Sequence, residues 1–241
     1  MNAIEIKNIR KTYRDAKVET LHGVSLVIPK GQFIGILGPN GAGKTTTISC
    51  ITGVTSPTEG CVLVHGHDVV SEYRKARACV GVSPQEFTID IFQTVDEILD
   101  YQAGFFGITG KKMEERRQEL LELFELLPHR SKKFQTLSGG LKRRAMLAKA
   151  MMHNPPVLIL DEPTAGVDVE TRQSLWKFLR RLHSEGKTIL LTSHYLEEVE
   201  ALCERVAIIK GGEIIADKSM EEITDGRKLE EVYLELVDHK S

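Results

Sequence analysis

The chain has 241 residues, 41% of them hydrophobic and 27% charged, enough for a substantial core in one domain with an insertion and outside the disordered and fibrous classes. Its 32 Lys and Arg against 34 Asp and Glu leave a formal charge of -2, so no field of the whole molecule draws it to nucleic acid or anionic lipid. Cys50, Cys61, Cys79 and Cys203 form no CxxC pair and read as reduced thiols rather than a zinc or disulfide framework.

The opening Met1-Asn2-Ala3-Ile4-Glu5-Ile6 alternates like a strand and lacks the basic start and apolar run of an export leader. No apolar stretch approaches the roughly 18 residues that a membrane-spanning helix needs, so crossing a bilayer would fall to other chains. Ala3 to Lys7 and Val24 to Ile28 read as short strands, and Pro29-Lys30-Gly31 makes a turn before the apolar run Phe33 to Leu37, which reads as a buried strand. That strand leads into Gly38-Pro39-Asn40-Gly41-Ala42-Gly43-Lys44-Thr45, after which Lys44 to Thr52 reads as a helix ended by Gly53. Strand, glycine loop and helix in this order make a phosphate loop. Its glycines let backbone N–H groups close around phosphates, and the helix start adds a favourable dipole. Lys44 can set a point charge between β and γ phosphates, and the Thr45 hydroxyl is placed to ligate Mg²⁺.

A strand over Cys61 to Val64 follows the turn at Pro57-Thr58-Glu59-Gly60. His65 and His67 flank Gly66 beside Asp68 and read as a turn rather than a metal site. Val80-Gly81-Val82 ends at Ser83-Pro84-Gln85, and from Thr94 to His153 the pattern is mainly helical, an insertion that includes Met113 to Leu127. For Phe87, Ile89, Ile91 and Phe92, just beyond Gln85, packing of the insertion and contact with a membrane partner are both open. Leu137-Ser138-Gly139-Gly140 opens a helix to His153, with Leu141, Ala145, Ala148 and Met152 on one face; a hydroxyl and free N–H groups there suit an anion. Lys142-Arg143-Arg144 oppose that helix's dipole and read as a solvated basic face.

After Asn154-Pro155-Pro156, the runs Val157 to Leu160, Thr188 to Thr192 and Val206 to Ile209 read as buried strands alternating with helices over 169–184 and 195–202. Asp161 and Glu162 end the first of these strands, where a carboxylate can reach a metal through its hydration shell. At the end, Leu229, Val232, Tyr233 and Leu236 share a helical face that must dock.

Three motifs in one order, Gly38 to Thr45, Leu137 to Gly140 and Leu158 to Pro163, resemble the ATP-binding cassette (ABC) family. The resemblance covers residues 3 to 218 and implies an α/β fold: a phosphate-loop NTPase (RecA-like) core with an antiparallel β subdomain and an inserted α-helical subdomain. One ABC ATPase domain over 1–241 would comprise a nucleotide-binding core at 1–88 and 154–218, a helical signature subdomain at 89–153 and a C-terminal helical extension at 219–241. The implied cofactors are ATP and Mg²⁺, with Gly38, Pro39, Asn40, Gly41, Ala42, Gly43, Lys44, Thr45 and Thr46 on the phosphates and Thr45, Gln85 and Asp161 on the metal. Glu162 would be the catalytic base, His194 the switch histidine at the γ-phosphate, and Gln85 the sensor of metal and attacking water, alongside Lys44. Tyr13 would lay its ring against adenine, unless it packs on its own sheet.

By the same resemblance Ser138, Gly139 and Gly140 complete the site of an opposing subunit, and Asp168 in Ala165-Gly166-Val167-Asp168 connects the two sites. Two chains in head-to-tail arrangement, either a homodimer or a pair with a second ABC ATPase, would sandwich two nucleotides. Leu141 departs from the family's usual glutamine and removes one polar contact to the opposing nucleotide. Leu137 to Arg144, Glu162 to Asp168, His194 to Glu198 and Leu229 to Tyr233 look like the ABC-2 type exporter branch. The expectation is an ATPase subunit powering transmembrane permease subunits at the cytoplasmic face of the inner membrane, with no nucleic acid. An importer subunit and a soluble ABC ATPase acting on ribosomes or DNA are the alternatives.

Overall fold

The computed structural model describes residues 1–13 and 18–238; residues 14–17 of the expected core and 239–241 of the expected extension lie outside the described residues. The chain runs through β1 (Asn2–Lys11), β2 (Leu21–Pro29), β3 (Phe33–Leu37), α1 (Lys44–Ile51), β4 (Glu59–Val64), β5 (His67–Asp68), α2 (Tyr73–Ala78) and β6 (Val80–Ser83). Next come α3 (Val95–Phe105), α4 (Gly110–Leu123) and α5 (Gly139–Met151). The remainder is β7 (Val157–Asp161), α6 (Val169–Ser184), β8 (Thr188–Thr192), α7 (Leu196–Leu202), β9 (Arg205–Lys210), β10 (Glu213–Ser219), α8 (Met220–Thr224) and α9 (Leu229–Asp238).

Two sheets organise these elements. An antiparallel sheet has the order β2-β1-β4-β5, and a six-stranded sheet has the order β10-β9-β3-β8-β7-β6. In the second sheet β9, β3, β8, β7 and β6 are parallel neighbours and only β10 is antiparallel. Successive side chains of a strand leave on opposite faces, and the central strands divide their apolar residues accordingly. Phe33, Leu37, Leu158, Leu160, Ile189, Leu191, Val206 and Ile208 join the core under the helical segment and the C-terminal helices. Ile34, Ile36, Val157, Ile159, Leu190, Ala207 and Ile209 join the core beneath the antiparallel sheet. Both faces of the parallel sheet are therefore covered, which is why its strands read as unbroken apolar runs.

Helix α3 starts on a reciprocal cap: Thr94 accepts from the Glu97 N–H at 3.2 Å, and Glu97 accepts from the Thr94 N–H at 2.7 Å. Helix α6 buries Leu175, Trp176, Leu179 and Leu182, one face at helical spacing. The terminal helix α9 buries Leu229 and Val232, and Tyr233 and Leu236 pack against the same core. The turn expected at Gly66 after the strand is formed by His65 and Gly66, both with positive φ, and beyond it His67–Asp68 pairs with Leu63 and Val64. One expectation needs correction. Arg143 is 2% exposed and does not belong to a solvated basic face. Consecutive helical positions point about 100° apart, so three adjacent cations cannot share one surface; Arg143 takes the buried direction, on the row of Met146, Leu147 and Ala150. Among the described residues no helix is long and apolar enough to cross a membrane.

Candidate active site

The C-terminal ends of β3, β7 and β8 lie side by side, because β3 pairs with β8 and β8 with β7. Each delivers its reactive residues to the same edge of the sheet: the glycine loop after β3, Asp161 and Glu162 at the end of β7, and His194 after β8. Thr20, Asn40, Gly41, Ala42, Gly43, Lys44, Thr45, Thr46, Gln85, Asp161 and Glu162 line one cavity there. Glycine is required within the loop by close approach: a Cβ on Gly38 would sit 2.2 Å from the carbonyl oxygen of Ile209. Gly43 caps α1 at φ +109 with no side-chain cap bond, and the first turn of α1 holds no acid, which leaves the helix start suited to an anion.

The Lys44 ammonium donates to the carbonyls of Gly38 (2.5 Å) and Pro39 (3.0 Å). Burial lowers its pKa below the ordinary lysine value, while Glu162 and Asp161 act the other way. The Asp161 carboxylate accepts from the Thr192 hydroxyl, which fixes its orientation at the end of β7. The Tyr13 hydroxyl lies 3.4 Å from that of Thr46. The Lys11 ammonium stands 5.0 Å from the centre of its ring.

Glu162 is held at every polar atom. Its carboxylate accepts from Gln85 Nε2 at 2.7 Å on one oxygen and meets His194 Nδ1 at 2.7 Å on the other. Its backbone N–H donates to Thr192 at 3.0 Å, and its carbonyl accepts from Arg143 Nη2 at 3.0 Å and from the Ala165 N–H at 3.2 Å. The residue has φ +49, a left-handed conformation that a glutamate adopts only when its surroundings over-determine it. Two residues from separate parts of the sequence, Gln85 and His194, thus converge on one carboxylate beside the phosphate loop.

Ser138, Gly139, Gly140 and Asp168 do not line this cavity. Ser138 is exposed and caps α5 by accepting from the Leu141 N–H at 3.4 Å. Asp168 caps α6 through the Thr171 N–H at 2.8 Å, and that bond is the main cause of its lowered pKa. His65 and His67 join no metal cluster; among the described residues no three His, Cys, Asp or Glu side chains do. Of the apolar residues beyond Gln85, Ile89 packs on the core and Phe87 meets Phe134 edge-on at 5.2 Å, whereas Ile91 and Phe92 are exposed.

Two functional-site neighbours were not anticipated. One is Arg143. The other is Glu198, fully buried on α7, which accepts from Trp176 Nε1 at 3.1 Å and from the Ser193 hydroxyl at 2.8 Å. Burial raises its pKa above the ordinary carboxylate value, and the hydroxyls of Ser193 and Thr164 and the Trp176 indole counter that rise. The pattern could have found it: Glu198 falls four residues before the buried Leu202 on one helical face.

A phosphate loop with an aspartate and a positioned glutamate at the adjoining strand end defines a nucleotide-hydrolysing enzyme of the phosphate-loop class. A family model described as ABC transporter matches residues 21–165. The Linearmycin resistance ATP-binding protein LnrL of Bacillus subtilis (strain 168) is 40% identical over 213 residues, 88% of this chain and 68% of that protein. The Nod factor export ATP-binding protein I of Burkholderia pseudomallei (strain 1710b) is 43% identical over 214 residues, 89% of this chain and 70% of that one. Among solved structures, the dimeric post-hydrolysis state of the ATP-binding cassette MJ0796 bound to ADP and Pi superposes with a TM-score of 0.81 at 29% identity, over 90% of this chain and 98% of that one. The chain belongs to the ABC transporter family, and its chemistry is the binding and hydrolysis of ATP.

Proposed function

We propose that this chain is the ATP-hydrolysing subunit of an exporter, that two copies, or one copy and a second ABC ATPase, close head to tail around two ATP molecules, and that permease subunits in the membrane are moved by that cycle. The observation that carries the hydrolytic part is the shared hold of Gln85 and His194 on Glu162 at the edge of the Lys44 cavity. Glu162 acts as general base on a water, Gln85 and His194 keep the carboxylate aimed, and Lys44 draws negative charge from the transferring phosphoryl group. The MJ0796 dimer supports closure of two cassettes, and the exposure of Ser138 and Gly139 leaves them available to an opposing copy. Reading the chain as the core at 1–88 and 154–218, the helical segment at 89–153 and the extension from 219 is supported by the break at Asn154 and by the strand-poor stretch of helices α3, α4 and α5 before it.

Mg²⁺ fits the donors present. The Thr45 hydroxyl, the Asp161 carboxylate and the Gln85 amide oxygen are hard donors around one cavity, the kind of sparse oxygen set that Mg²⁺ accepts when substrate phosphates and water complete its shell. Bound there, the ion would neutralise charge on the phosphates. Export is supported by the relatives named for Nod factor export and linearmycin resistance. The exposed Ile91, Phe92, Tyr101 and Phe105 offer an apolar face to a permease, which would hold the protein at the cytoplasmic face of the membrane.

Glu162→Gln removes the base and keeps the phosphate contacts, so the variant is expected to bind ATP, lose at least about a hundredfold in turnover and accumulate as a dimer by size-exclusion chromatography in Mg-ATP. Normal turnover would remove Glu162 from its role. Recovered from native membranes in that state, it should bring a multispan membrane protein without a substrate-binding protein. A substrate-binding protein would indicate import, and ribosomal or DNA-associated proteins alone would defeat the transporter reading.

A further inference from the structure

The side chain of Arg143 occupies a place that fold stability does not explain. Its guanidinium is almost wholly buried, and among the described residues it has no carboxylate within ion-pair distance. Burying a cation so is costly, and an apolar residue of similar volume is often as stable or more so. What the guanidinium does hold is backbone. Nη1 donates to the carbonyl of Pro84 at 2.9 Å and lies 3.5 Å from that of Gln85; Nη2 donates to the carbonyl of Glu162 at 3.0 Å. Its Cζ lies over the Phe87 ring, 5.3 Å from the ring centre.

We propose that Arg143 is a positioning residue for ATP hydrolysis: one guanidinium pins the backbone on either side of the Gln85–Glu162 hydrogen bond and so fixes the aim of the carboxylate. The same helix carries the exposed Ser138 as its N-cap, and between Ser138 and Arg143 the rigid α5 is less than two turns long. A shift of α5 when Ser138 meets a nucleotide on the opposing copy therefore reaches Glu162 through Arg143 without passing through the sheet. The side chain touches no substrate; it acts through Glu162 and Gln85. The planar fork matters, since it spans two carbonyls in fixed geometry, which an ammonium cannot do.

This rests on the reading of Glu162 as the base, and the test separates the two. In the full chain, Arg143→Met should lower kcat for Mg-ATP hydrolysis about tenfold to a hundredfold, as expected when a reacting group is misplaced by about 1 Å. The KM for ATP should stay within about twofold and the thermal midpoint near its original value, because the phosphate contacts are untouched. Arg143→Lys, which keeps charge and one donor, should recover part of kcat. Combined with Gln85→Ala, Arg143→Met should cost less than the product of the two single losses, because both act on the placement of one carboxylate. If Arg143→Met keeps kcat within about twofold, or if the losses multiply, the proposal fails. Should Arg143→Met misfold, a fully stable Arg143→Lys with unchanged kcat overturns it. Glu162→Gln measured alongside shows which reading is at fault: full turnover there sinks the base itself, whereas its loss with an active Arg143→Met sinks only the positioning role.

Discussion

His153 lies past the end of α5 and shows how one buried ring sets a pH limit on the fold. It stacks on Phe106 with centroids 3.7 Å apart and planes 8° from parallel, and Nε2 meets the Val80 carbonyl at 3.0 Å. Burial lowers its pKa from 6.5 to about 4, and the nearby cations Arg116 and Lys187 act in the same direction while the bond to Val80 opposes it. The unfolded chain therefore takes up this proton first. Stability from the neutral ring is complete above about pH 6.5 and is lost as pH falls toward 4, with up to about 2 to 3 kcal/mol involved. His153→Gln should flatten this part of the profile: the urea midpoint of the unaltered chain should fall further between pH 7 and pH 4.5 than that of the variant. Equal falls would place the acid sensitivity in other groups.

At the level of elements, Glu198 joins parts that share no strand. Its carboxylate ties α7 to α6 through Trp176 and to the segment before His194 through Ser193. Because burial raises its pKa, the folded state holds this proton longer than the unfolded one, so its contribution is present below the ordinary carboxylate pKa and is lost as pH rises through the raised one. Glu198→Gln, neutral throughout and still able to accept from Trp176, should match or exceed the stability of the unaltered chain at pH 8. Glu198→Ala strands the indole N–H and the Ser193 hydroxyl and should cost about 1 to 3 kcal/mol, read from urea unfolding at the same pH. The order of these elements was legible wherever burial on both faces made an unbroken apolar run, as in Phe33 to Leu37 and Thr188 to Thr192, and wherever a helix kept one face, as in α6. The edge strand Glu213–Ser219 was not read, because Ile214 and Ile215 sit side by side among polar residues and only Ile214 packs on the core beneath the antiparallel sheet. Around the site, the phosphate loop and the Asp161–Glu162 pair stood out as motifs, since their chemistry dictates residue type, whereas Gln85 and His194 were marked only by the family resemblance. Arg143 could not be picked, because its work depends on what lies opposite it in space, and a cation among cations carries no mark of burial; Glu198 carried one mark, its place four residues before Leu202 on the buried face of α7.

For the whole molecule, the separation between the Lys44 cavity and the exposed Ser138 is the governing fact. If a working site takes Glu162 from one copy and Ser138 from the other, two inactive chains can complement each other. Glu162→Gln and Ser138→Arg should each hydrolyse little ATP alone, yet an equal mixture should recover up to roughly one quarter of normal turnover, from mixed dimers with one intact site. No recovery on mixing would mean that each copy works with its own Ser138 or none. The parallel sheet has a different consequence, for how the protein comes to exist. β3 is flanked by β8 and β9, with Phe33 beside Ile189 and Ile34 beside Arg205, so its neighbours lie most of a chain length away. Such long-range pairings are slow to close, and the amino-terminal half must wait for the carboxyl-terminal half before Lys44 and Glu162 face each other. Capture of nucleotide is then a signal of completed folding: a half-made chain emerging from synthesis has the loop in its sequence but no site to close around ATP, and ATP selectively stabilises only those molecules that have finished.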